Sequence, residues 1–136
     1  MILKQRSKKE IVITPEFVTA QSASITQQDA ERVVSRSSEI VKKFRENVSL
    51  RKFVNESVLF IGLVKDYLTG SYRSIPWWMI AAVVFTLLYV LNPFDLVPEF
   101  IPVVGYLDDA AVVSICLSLI SQELGTYKNW KEKQRS

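Results

Sequence analysis

Residues Pro76–Leu91 read PWWMIAAVVFTLLYVL, and their only polar side-chain groups are two indole nitrogens, the Thr86 hydroxyl and the Tyr89 phenol. A helix of this composition has no water-facing side, so lipid or a thick layer of protein must surround it. It lies within an uncharged stretch, Ser74–Phe94, of 21 residues. As one helix that stretch would reach ~31 Å, close to the ~30 Å of bilayer hydrocarbon. Proline shortens it: Pro76 suits a first helical turn and Asn92-Pro93 ends the helix, which leaves ~24 Å. A second uncharged run, Ala110–Gln122, follows Asp108-Asp109, and Gly125 is placed to close it. Two short apolar helices in succession predict a hairpin.

Charge is segregated around this hairpin. From Met1 to Ser74 there are 13 basic against 8 acidic residues; from Ile75 to Ser121 there are four acids and no base; from Gln122 to Ser136 four bases face two acids. The formal net charge of +3 therefore hides an acidic apolar middle between two basic ends. Aromatic residues mark the same edges, as expected where side chains meet a bilayer interface. Tyr72, Arg73, Trp77 and Trp78 open the first apolar helix, and Tyr127, Lys128, Trp130 and Lys131 follow the second. Short basic flanks stay on the cytoplasmic side. This predicts a membrane location with both termini cytoplasmic, reached by two crossings or by a re-entrant dip. A 136-residue chain holds about one domain and offers few neighbours to cover an apolar helix, so the lipid bilayer is preferred to a soluble bundle or oligomer as its surroundings.

Upstream, residues 1–28 are polar and open on Lys4, Arg6, Lys8 and Lys9 with no apolar signal region behind them. They read as a flexible basic segment, and nucleic-acid binding is not expected from a basic cluster without interleaved aromatics. Thr26-Gln27-Gln28-Asp29 has the form of a capping box. Ala30, Val33, Val34, Ile40, Val41 and Phe44 then recur at helical spacing opposite a charged face. After a break at Asn47–Ser49, Leu50, Phe53, Val54, Val58, Ile61 and Leu68 continue an apolar face to Gly70, a candidate cap. The resulting division is a polar N-terminus over 1–28, amphipathic cytoplasmic or interfacial helices over 29–70, the hairpin over 71–127 and a basic tail over 128–136.

The hairpin connection, Asn92–Asp109, reads NPFDLVPEFIPVVGYLDD. Together with Asp66-Tyr67-Leu68-Thr69-Gly70-Ser71-Tyr72 and Ile75-Pro76-Trp77 it closely resembles the YkvA-like family of unknown function, over about half the chain. Family members usually carry Asp at the position of Glu99, so the match is conservative there. The resemblance implies a small, mainly bacterial, membrane-associated helical protein and brings no activity, substrate or catalytic residue.

Asp95, Glu99, Asp108 and Asp109 are the candidate metal ligands, since oxygen donors alone suit Ca²⁺ or Mg²⁺ rather than zinc. Helix capping and local hydrogen bonding are the simpler roles for them; ion or proton passage by an oligomer is the third. No organic cofactor is expected. Catalysis is not expected either: the chain has no histidine, and its one cysteine, Cys116, sits among Ile115, Leu117 and Leu119 with nothing to activate it. The reading is an all-α protein that acts as a membrane-embedded interaction or scaffolding module with a protein partner or a second copy. Its alternatives are carboxylate-based cation binding or ion passage, and a soluble helical oligomer that binds proteins.

Overall fold

The computed structural model describes residues 14–92 and 109–135, which are all-helical. In chain order the helices are α1 (Pro15–Ser22), α2 (Gln27–Ser35), α3 (Ser37–Glu46), a 3₁₀ turn (Arg51–Phe53), α4 (Val54–Thr69), α5 (Trp77–Leu91) and α6 (Asp109–Arg135). The expected all-α class holds.

Local chemistry sets most of the boundaries. Thr14 accepts from the Phe17 amide at 3.0 Å, and proline follows it in the first turn of α1. Thr26 and Asp29 form the reciprocal capping box: the Asp29 amide donates to Thr26 Oγ1 at 3.2 Å and the Thr26 amide donates to Asp29 Oδ2 at 2.9 Å. Gly70, at φ 85°, closes α4 in the left-handed region, where an L side chain would be strained. Pro76, with extended backbone, begins α5, and Asn92 ends it.

The apolar helix is the axis of the bundle. Residues Met79 to Val90 of α5 are all buried, because α1, α2, α3, α4 and α6 each pack on it. The sequence reading expected too few neighbours to enclose such a helix, and two features supply the rest. Residues 15–22, assigned to the polar N-terminal segment, form α1 instead; it buries Val18 and sets Phe17 edge-on to Phe85 at 6.3 Å. The amphipathic stretch before Asn47, read as one helix, breaks at Arg36 (φ −112°, ψ 25°) and yields two short helices, both of which reach α5. Two short rods follow a central helix around its girth better than one long rod.

Helix α6 departs from expectation at its far end. It continues past Gly125 through the expected tail to Arg135, with a kink at Ile120 (φ −123°, ψ 16°). Gly125 does not adopt a positive φ. Side-chain contacts made by Tyr127, Trp130 and Lys131 offset the cost of a helical glycine, about 1 kcal/mol. By length and composition α6 would cross a bilayer, but Ser114, Ser118, Ser121, Gln122 and Thr126 occupy its exposed face, so the side turned away from the bundle is polar. Helices α5 and α6 pack against each other; the connection between them lies outside the described residues.

Candidate membrane interface

One end of the bundle gathers the C-terminal turn of α4, the segment leading into α5, and the last third of α6. Once Gly70 has turned the chain, the Tyr72 amide donates to the Asp66 carbonyl at 3.0 Å, and the buried Tyr72 ring packs against both Tyr127 and Trp130, at centroid distances of 5.1 and 5.0 Å. Tyr127 and Trp130 stack at 5.9 Å with an interplanar angle of 26°. Such aromatic pairs contribute about 0.5–1.5 kcal/mol each beyond their buried area.

Asp66 lies at the centre of this cluster. Its side chain is 12% exposed, and its Oδ2 accepts from Tyr127 Oη at 2.7 Å and from Lys131 Nζ at 2.9 Å. The two donors come from α6, more than sixty residues away in sequence, so a single carboxylate oxygen pins the end of α6 to α4. Gly62, one turn earlier on α4, makes room for the phenol: a Cβ there would stand 3.0 Å from Tyr127 Oη. Burial, and after it the Asp66 hydrogen bond and charge, hold the Tyr127 phenol well above its usual pKa. Burial, with a smaller contribution from the Glu123 charge, raises Tyr72 in the same direction.

The outer layer is basic and aromatic. Arg73 Nε donates to the Tyr67 carbonyl at 2.6 Å, and the guanidinium lies 4.7 Å over the Tyr67 ring. Tyr67 in turn meets Trp77 at 5.9 Å. Trp77 and Trp78 are 36% and 44% exposed, and the other large apolar side chains exposed among the described residues are Val48 and Val58.

The eight residues expected at the interface therefore divide. Arg73, Trp77, Trp78 and Lys128 are exposed. Tyr72 and Tyr127 are buried beneath them, while Trp130 and Lys131 are half-buried; these four build the end rather than face outward. Asp66, Tyr67 and Gly62 were not singled out for a role, although an acid among the apolar positions of α4 was a signal. Of the carboxylates proposed as metal ligands, Asp109 is the first residue of α6 and half-buried; Asp95, Glu99 and Asp108 lie outside the described residues. Among the described residues no three metal-binding side chains come together. Cys116 is fully buried, and burial pushes its thiol up to about 12 despite a hydrogen bond with Thr86 that acts the other way.

Comparison with known proteins points the same way as the sequence. Residues 79–115, which run from the first buried turn of α5 into α6, match the family described as "Protein of unknown function (DUF1232)". The "Uncharacterized membrane protein YkvA" of Bacillus subtilis (strain 168) is 28% identical over 81 residues, covering 60% of this chain and 76% of that protein. No solved structure matches. The two matches bear out the resemblance stated from the sequence: residues 79–115 are similar to that family's model, and the chain is similar to the Bacillus subtilis protein over 81 residues.

Proposed function

We propose that the chain is a non-enzymatic, membrane-associated helical module that seats its aromatic and basic end in the headgroup layer of the cytoplasmic face of a bacterial membrane and presents α2 and α3 to the cytosol as an interaction surface. The observation that carries this reading is the exposure of Trp77 and Trp78 side by side, next to Arg73, on a bundle whose remaining described surface is largely polar. Indole rings favour the bilayer interface, and basic residues there are attracted to anionic lipid. The membrane assignment of the Bacillus subtilis relative supports it. Because protein already encloses α5, the membrane is not needed to solvate it, and lipid contact falls to the end of the bundle rather than its length.

The test is flotation with lipid vesicles. The wild-type protein is expected to be soluble without detergent and to float with added vesicles, and Trp77→Ala/Trp78→Ala, folded as wild type by circular dichroism, to remain at the bottom of the gradient. A protein that needs detergent to stay in solution overturns the peripheral seating in favour of the embedded hairpin. Absence of flotation overturns membrane association itself.

A further inference from the structure

Beside the exposed tryptophans lies a recess of about 370 Å³ whose lining includes Ile25, Thr26, Tyr67, Leu68, Arg73 and Trp77. That is within the ~300–1,000 Å³ of small-ligand sites. Arg73 is its one charged lining residue, and among the described residues no carboxylate pairs with it. The guanidinium is nevertheless held in place, by Nε on the Tyr67 carbonyl and by the Tyr67 ring beneath it. The two Nη groups remain as a planar pair of donors, the geometry that suits two phosphate oxygens. Asp29, which follows the lining residues Thr26 and Gln27 in the chain, is engaged by the amide and hydroxyl of Thr26.

We infer that this recess binds the phosphate of an anionic phospholipid headgroup, with Arg73 as the donor and Trp77 as the wall that continues into the bilayer interface. The inference rests on the seating proposed above and adds a lipid class to it. Trp77 belongs to the recess and to the exposed aromatic pair at once, so a headgroup bound to Arg73 leaves its acyl chains on the membrane side of the indole rings. A free anion gains nothing from that continuity.

Flotation is compared on vesicles of phosphatidylcholine alone and of phosphatidylcholine with phosphatidylglycerol, for the wild type, Arg73→Gln and Trp77→Ala/Trp78→Ala. Wild type is expected to prefer the anionic vesicles, and Arg73→Gln to lose about fivefold in affinity for them, the factor for one interfacial basic residue. To separate the recess from a diffuse basic surface, Lys128→Gln serves as a control of equal charge, expected to fall by less than half as much. Equal losses in the two variants, or no loss in Arg73→Gln while the wild type still floats, overturn the headgroup site and leave the seating standing. Absence of wild-type flotation on both vesicles overturns the seating as well. Release of wild type by millimolar inorganic phosphate at constant ionic strength identifies a free-anion recess and overturns the lipid assignment.

Discussion

The contact between Asp66 and Tyr127 joins elements 61 positions apart, and the stability it contributes is measurable. Replacing Asp66 by alanine leaves the Tyr127 hydroxyl, in a ring that is fully buried, without its acceptor at a cost of about 1–3 kcal/mol. The companion loss at Lys131 is smaller, below about 1 kcal/mol, because that side chain is 39% exposed and water can solvate it. Tyr127→Phe removes the donor and leaves Asp66 its lysine, which costs about 1.5–3 kcal/mol for a hydrogen bond to a charged group. When both are changed, neither an orphaned hydroxyl nor a lost bond remains to be counted twice. The cycle of the two single variants and the double variant, followed by urea unfolding at 222 nm, is therefore expected to give a coupling of about 1.5 kcal/mol. Asp66→Asn keeps an acceptor for the phenol and should lose less than half as much as Asp66→Ala. Additive single effects, with a coupling below about 0.3 kcal/mol, would refute the argument that one carboxylate fastens α6 to α4.

Three further outcomes follow from the same end of the molecule and from its axis. Gly62→Ala should destabilise the wild type, because its Cβ would stand 3.0 Å from Tyr127 Oη; in the Tyr127→Phe background the obstacle is gone and the same change should stabilise by up to about 1 kcal/mol through helix propensity, so an unchanged sign in urea unfolding rejects the close approach. Tyr72 and Tyr127 both hold their protons more tightly when folded than the ordinary value of 10.0, so between that value and the native ones the unfolded chain carries fewer protons and stability falls as pH rises. Thermal midpoints should thus be level below about pH 10 and drop above it, less steeply in Tyr127→Phe, and an equal drop in that variant removes Tyr127 from the explanation. Cys116, buried and pushed up to about 12, should not react with an aqueous disulfide reagent at pH 8 until urea unfolds the protein; rapid labelling of the native protein would show that α6 does not stay closed over α5.

What the sequence revealed and what it concealed separate along a physical line. Boundaries written in side chains within a few residues of the event were legible: the Thr26–Asp29 box, the turn at Asn47, Gly70 with its positive φ, Pro76 and Asn92 all act where they were expected. Misreadings came where a distant contact overrides the local preference. Gly125 would have ended α6 had Tyr127 and Lys131 not found Asp66 beyond it. Residues 15–22 looked too polar to fold, yet one valine and one edge-on phenylalanine attach them to α5. The larger ambiguity lay in α5 itself, because an all-round apolar helix announces that it will avoid water and leaves open which apolar medium will receive it. Interior protein and bilayer are equivalent solvents for Val83 or Leu87, and only the partners decide between them. The aromatic residues are different, since Trp77 stays partly exposed even where it meets Tyr67, and Trp78 stays exposed, while Tyr72 and Trp130 pack against each other. A fold that encloses its most apolar helix yet leaves two indoles partly exposed has solved its own solvation problem elsewhere. On the proposed reading, an external apolar phase at that end receives those indoles, which the needs of folding leave partly exposed.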